Sequence, residues 1–575
     1  MVKNKWSNPV WVVILPIAYV IIYLLVGSKR GPYYWTPNQD PDYAYLLNSL
    51  VLALFKVPTH TDHPGTPLQA LGAIVLWVSY LVQLPFNPAL KKNLADEVLT
   101  NPELYLHLFN DALLFLTACS LVAVGWVTLQ LTRNLLLTLI LQITPLLMFR
   151  TFLGEEPSRV APDVLVVCIS QLMVLVLVRY LYAEHGNSEN GERSRHFIIS
   201  LGAVLGLGMA TKVTLLPMAL FLLLPQGWRR KALALGVAIV AFVLATLPII
   251  TRYGRTLRWM TDLATHTGPY GGGEVGLVDT SSLGDKAQQL FTHNLVFFTI
   301  LLIATAASIG FALVWLLQGE RLRGDCLQDD SLQDDSLQNF SRSSSFRPDF
   351  RKVYFLLALT TLVTWGQVLL TLKQQPQSRY LNPAAGLMGF LVFVLIHACW
   401  IVLPMAIGRS MNIAKLKQAI PAIVLALCVA VCIQQIDYSA NKIASGANRR
   451  LRELTKIETF LQQDEYKSCT RVVSRRASTP ESALKFGDFW AGRKLKSQLI
   501  NLFPDPVFYI DEAKGYETYT QPVSFAELQE KGKGCVLLQI NSMPLHDWKA
   551  KYRPKQGVDK IFEGRLEALY RIRTN

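Results

Sequence analysis

Apolar runs approaching the length of a lipid-spanning helix recur along this chain, and they constrain its fold more than any other feature. A helix crossing the hydrocarbon core needs roughly 20 mostly apolar residues. The runs cover 9–26, 112–131, 135–149, 164–182, 197–210, 213–224, 232–250, 295–317, 353–372, 384–403 and 419–433. They predict an α-helical polytopic membrane protein of about eleven transmembrane helices. The first run follows Lys3 and Lys5 without a small-residue cleavage site, and so reads as a retained signal anchor. Of all residues 51% are hydrophobic and 17% charged, against about 25% charged in soluble domains. That balance excludes disordered, collagen-like and coiled-coil chains.

The formal charge of +15 accompanies no nucleic-acid motif and is read as basic membrane-flanking loops that face anionic lipid headgroups. With the N-terminus cytoplasmic, the inner connections hold Arg133; Arg193 and Arg195; Arg229, Arg230 and Lys231; Arg321 to Lys352; and Arg409, Lys415 and Lys417. The outer exceptions, Arg150, Arg159 and Arg252, become candidates for function. Lys212 interrupts 197–224, which reads as a hairpin of two short helices returning to the cytoplasmic side. A single long helix there would reduce the count by one and move the C-terminus to the cytoplasm.

The connection 318–352 repeats Ser-Leu-Gln-Asp-Asp and is polar and of low complexity, which predicts a disordered cytoplasmic insertion within a membrane domain 1–436. A small soluble α/β domain follows at 437–575, extracytoplasmic by the odd span count. Its strands are predicted at 470–473, 507–510 and 536–540, with helices at 441–462, 481–502 and 524–531, and alternation suggests a parallel sheet. Cys469 and Cys535 each precede a predicted strand. Parallel neighbours would bring them together as a disulfide; otherwise they are two free thiols. No Cys or His spacing resembles a zinc site.

Candidate chemistry gathers in the outer loops. The first, 29–111, is far longer than a connection requires. It opens with Asp40-Pro41-Asp42, two carboxylates able to hold a hard cation, magnesium or manganese, or to supply a general base. An amphipathic interfacial helix is predicted at 43–55. Asp62-His63-Pro64-Gly65 is a stiff turn that presents Asp62 or His63, or simply a turn before the apolar stretch 68–84. The second outer loop sets Glu155 and Glu156 beside Arg159. Lys212, Lys373 and Arg379 are single outer bases suited to a lipid phosphate, or to snorkelling. The third outer loop, 251–292, carries His266, Gly271, Gly273 and Glu274, a mobile composition suited to a lid.

In their order along 6–403, these motifs resemble the GT-C class of integral-membrane glycosyltransferases, specifically the family-39-like branch with protein O-mannosyltransferases and aminoarabinose transferases. The resemblance rests on Asp40-Pro41-Asp42, Asp62-His63-Pro64-Gly65, Glu155-Glu156, Thr211-Lys212, and Lys373 through Arg379-Tyr380-Leu381-Asn382-Pro383. It implies a GT-C-like fold in the plasma (inner) membrane. The implied reaction moves a sugar, with inversion, from a polyprenyl-phosphate donor to an extracytoplasmic acceptor. Asp40 or Asp42 would be the base, with a slight preference for Asp42. Glu155 or Glu156 would orient the acceptor or, with Asp40 and Asp42, share a divalent ion, while Asp62, His63 and His266 would line the acceptor side. Lys212, Arg379, Arg159 and Lys373 would meet the donor phosphate. The chain departs from the common pattern at Gly65, where a second proline is frequent, and at Asn382, where an apolar residue is usual.

Two other functions fit the span count. A secondary transporter or lipid-linked-sugar flippase would show repeated halves, and no internal repeat is present. A non-catalytic lipid-binding scaffold would leave partner binding to the tail.

Overall fold

The computed structural model describes residues 9–573 apart from 36–38, 87–92, 154–158, 183–189, 277–278, 319–349, 408–412, 475–476, 504–506, 512–514, 520 and 542–556. The core of the predicted insertion, including Cys326, therefore lies outside the described residues. Among these residues, seven helices are long and apolar enough to cross a membrane, or up to nine if each of two bent pairs is one span.

All eleven apolar runs fall in helical segments, but prolines divide several of them, because proline supplies no N–H to the helix ladder. The run 135–149 becomes Leu135–Gln142, Thr144–Leu147 and Phe149–Leu153, with Pro145 at the break. The run 232–250 ends in a helix-to-helix bend of 82° after Ala245, where Pro248 follows. The interrupted stretch 197–224 is two helices: Asn190–Thr211 and a 3-10 helix, Val213–Leu223, with Pro217 inside. Between them Lys212 is extended, with φ −159° and ψ 125°.

The long first connection, 29–111, is largely helical among the described residues. After α1 (Ile14–Gly27) come α2 (Gln39–Ala53) and α3 (Thr66–Gln83). The expected interfacial helix at 43–55 is corrected: twelve of the fifteen residues of α2 are buried. It is enclosed by α3, by the helix Pro102–Thr132 and by the tail helix Pro480–Trp490, in a second apolar core separate from that of the bundle. Its low amphipathicity follows, since both faces are covered.

The tail holds a six-stranded mixed sheet in the order β3-β2-β1-β4-β6-β5. Its strands are β1 (Thr470–Ser474), β2 (Phe508–Asp511), β3 (Gly515–Glu517), β4 (Val536–Asn541), β5 (Val558–Glu563) and β6 (Glu567–Ile572). The three predicted strands form its parallel centre, with β1 between β2 and β4. The expectation of a wholly parallel sheet is corrected by β3, β5 and β6, which pair antiparallel at the flanks. Thr470 lies opposite Val536, so the preceding cysteines meet, and Cys469–Cys535 is a disulfide across 66 residues. Closing a loop of that length is expected to contribute about 4 kcal/mol. Thermal unfolding of the oxidised chain against the Cys469→Ser, Cys535→Ser double variant should show the tail losing stability first.

The helix Ile413–Leu461 runs 49 residues from the bundle into the tail with no break at Asp437. The tail also docks on the first loop. Gln39 Nε2 donates to the Ala477 carbonyl at 2.7 Å, and Thr59 Oγ1 to that of Trp490 at 2.6 Å. Gly487 admits this approach: a Cβ there would lie 2.7 Å from the Tyr43 carbonyl oxygen. Tail and first loop thus share one end of the bundle.

Candidate active site

Two charged clusters meet at that end. In the first, Asp42 is fully buried, with Arg30 Nη2 at 3.2 Å and Arg159 Nε at 3.8 Å from Oδ2, and its Oδ1 accepts the Val160 N–H. Arg30 also stacks over the Tyr33 ring at 3.9 Å. Glu103 fixes the approach of this segment: its carboxylate accepts the N–H groups of Tyr33 and Tyr34 at 2.8 and 3.0 Å and the Tyr43 hydroxyl at 2.8 Å. Burial pushes the Arg159 guanidinium down to about 10, opposed by Asp42 and reinforced by Arg30 and Arg379; it remains protonated at neutral pH.

Asp40 behaves differently although only Pro41 separates it from Asp42. Its backbone is non-helical at φ −110°, ψ 110°, and its side chain is exposed. Arg159 Nη2 donates to the Asp40 carbonyl at 2.7 Å, while the Asp40 carboxylate makes no ion pair among the described residues. The two carboxylates therefore stand in different environments, one buried against arginines and one exposed.

In the second cluster Lys212 Nζ lies 2.5 Å from Asp163 Oδ1 and 4.9 Å from the centre of the Tyr380 ring. The Val213 N–H donates to the His63 carbonyl at 3.2 Å, and Pro64 bridges Lys212, so the stiff turn is stitched to the helix break that holds the lysine. Arg379 Nη2 donates to the Tyr270 hydroxyl at 3.0 Å, and the Tyr380 hydroxyl does so at 3.2 Å. Tyr270 belongs to the glycine-rich third loop, which thus lies over Arg379 as a lid would. Burial, and then the charge of Lys212, hold the His63 imidazole well below its ordinary value. It is neutral at pH 7, with its ring 4.8 Å from that of Trp259.

Other expected site residues are placed elsewhere. Lys373 donates to the Ala264 carbonyl and anchors the helix Tyr253–Thr265 instead of entering the cluster. His266 Nδ1 makes local contacts with the Asp262 carbonyl and Thr265. Asp62 lies 3.8 Å from Arg255 at a partly exposed rim. Glu155 and Glu156 lie outside the described residues. Among the described residues Asp42 is met by two guanidiniums and no three His, Cys, Asp or Glu side chains converge, while Glu155, the third expected metal ligand, lies outside them. Arg30, Glu103, Asp163, Tyr270 and Tyr380 were not singled out as site residues from sequence. Only Arg30 had a usable signal, as a base on the outer side of the first span.

Fold and site define a polytopic membrane protein with buried cationic groups and an exposed carboxylate under its soluble tail. No family model matches the chain, and no curated protein matches it. Among solved structures, ArnT from Cupriavidus metallidurans bound to undecaprenyl phosphate is similar at 12% identity, covering 98% of each chain with a TM-score of 0.47. ArnT of the same organism in the apo state is similar at 11% identity, covering 98% of this chain and 97% of that one, with a TM-score of 0.42.

Proposed function

We propose that the chain is an integral-membrane glycosyltransferase that moves a sugar from a polyprenyl-phosphate donor to an acceptor on the extracytoplasmic side. The observation that carries this reading is the gathering of Lys212, Arg379 and Arg159 at the same end of the bundle as Asp40, whose carboxylate makes no ion pair among the described residues. Lys212 is paired with Asp163, whereas Arg379 meets the Tyr270 and Tyr380 hydroxyls and no carboxylate among the described residues. The positive charge left there suits the single negative charge of the donor's phosphodiester. The alternation of the eleven apolar runs and the basic connections read as cytoplasmic support an extracytoplasmic position for this end and the tail.

In this mechanism Asp40 takes the proton of the acceptor hydroxyl as its oxygen attacks the anomeric carbon. The carbon–oxygen bond to the phosphate breaks on the opposite face, giving inversion. The phosphate leaves with the bond's electron pair, and Lys212 and Arg379 stabilise its growing charge. Asp42 acts on none of the reacting atoms; it holds Arg159 in place.

Arg379→Ala should weaken binding of a polyprenyl phosphate by the chain in lipid nanodiscs at least tenfold, since a charge-assisted hydrogen bond contributes about 1.5–3 kcal/mol. Unchanged affinity in both Arg379→Ala and Lys212→Ala would remove the phosphate from this site. The reaction itself is tested by mass spectrometry of glycolipids and surface glycans from cells with and without the protein. Identical profiles together with uptake of a labelled solute into proteoliposomes would replace transfer with transport.

A further inference from the structure

Between the two charged clusters lies a group of neutral polar side chains that the proposed chemistry does not use. Tyr45, Thr61, Thr66 and Gln69 are each at most 1% exposed. The Tyr45 hydroxyl, Thr61 Oγ1, Thr66 Oγ1, Gln69 Oε1 and His60 Nδ1 are buried without a hydrogen-bond partner among the described residues. Buried polar atoms are nearly always paired, and leaving one unpaired is costly. Five around one turn therefore point to something polar that they were built to meet.

Their placement is consistent. Tyr45 stands one helical turn after Asp42 on α2. Its ring lies 5.0 Å from His60, whose carbonyl accepts Gln69 Nε2 at 2.6 Å, leaving the amide oxygen of Gln69 unused. Gly65, in a left-handed conformation at φ 68°, is the turn residue against the Tyr45 hydroxyl, where a Cβ would come within 2.9 Å. Trp490 of the tail packs on His60, with its ring 4.9 Å away. The next residues of the turn, His63 and Pro64, carry the contacts to Lys212 and Val213.

We infer that this turn, with Tyr45 and Gln69, is the pocket for the transferred sugar, and that it selects a neutral one. Hydroxyls and a side-chain amide beside aromatic rings are the chemistry that recognises a polyol. A cationic amino sugar would need an uncommitted carboxylate, yet among the described residues Asp163, Asp62 and Asp42 are each matched by a base, and Asp40 serves as the proton acceptor. This inference rests on the transferase reading.

The test uses the full-length chain in nanodiscs and three probes: a C55 polyprenyl phosphate, its mannosyl ester and its 4-aminopentosyl ester. Gln69→Leu and Thr61→Val should each weaken the mannosyl lipid about tenfold and the bare phosphate less than about twofold, because a polar site left unpaired discriminates strongly. Tyr45→Phe, which removes a single oxygen, serves if either variant fails to fold by thermal unfolding. Equal loss for mannosyl lipid and bare phosphate, no loss for either, or preference for the aminopentosyl lipid overturns the pocket while leaving phosphate recognition intact. Failure of the unsubstituted chain to bind any of the three overturns the transferase reading with it.

Discussion

Asp40→Asn is expected to lower sugar transfer by about 10²–10⁴-fold, the usual contribution of a positioned general base, with donor affinity unchanged. Asparagine has the shape of aspartate but cannot take the acceptor's proton. Because the Asp40 side chain is exposed and makes no ion pair among the described residues, nothing structural should be lost with its charge. Its main-chain carbonyl, which Arg159 uses, is retained. Single-turnover transfer in reconstituted membranes reads the chemical step, and polyprenyl-phosphate binding reads the site that Lys212 and Arg379 form. Full transfer activity in Asp40→Asn would end the assignment of the base.

Asp42→Asn should instead reduce the amount of folded protein. Removing one partner of a buried ion pair costs about 3–5 kcal/mol, because the other charge is left uncompensated. Here two guanidiniums lose their counter-charge in a place where Arg30 and Asp42 side chains are 6% and 0% exposed. The Val160 N–H would also lose its carboxylate acceptor. Thermal unfolding in detergent and the yield of monodisperse protein measure this directly. Normal stability with abolished transfer would return the catalytic role to Asp42 and reverse our assignment. The pair of substitutions therefore separates a carboxylate that reacts from one that holds its neighbours.

The same pair shows how much was legible in the sequence. Asp-Pro-Asp after the first span marked a site, because two carboxylates at a membrane boundary are costly without a purpose. Which one was available depended on where Arg30 and Arg159 arrive, from positions 12 residues before Asp42 and 117 residues after it. Lys212 was legible as a base interrupting two apolar runs, and its contact with Asp163 was not, since the two lie 49 residues apart. Lys373 shows the converse: its residue type and position suit a phosphate, yet it bonds a backbone carbonyl. The tail divides similarly. Its three central strands were readable as short β-branched runs, and their parallel pairing led to the cysteine contact. The flanking strands Gly515–Glu517, Val558–Glu563 and Glu567–Ile572 are short or largely polar in sequence, and only pairing with a neighbour makes them strands.

By itself, the sequence determined that this chain forms an apolar helical bundle with an α/β tail, and that its uncommon charges gather in the connections between apolar runs. Those properties follow from local hydropathy and residue type, which every stretch of chain carries independently. Tertiary structure decided how the bundle and the site are completed. It buried α2 under the tail, divided apolar runs at prolines, enclosed Asp42 in arginines while leaving Asp40 exposed, and gathered unpaired hydroxyls around one turn. Each outcome depends on contacts between residues far apart in the chain, where burial and the distance between charges set the energies, and neither exists until the chain has folded.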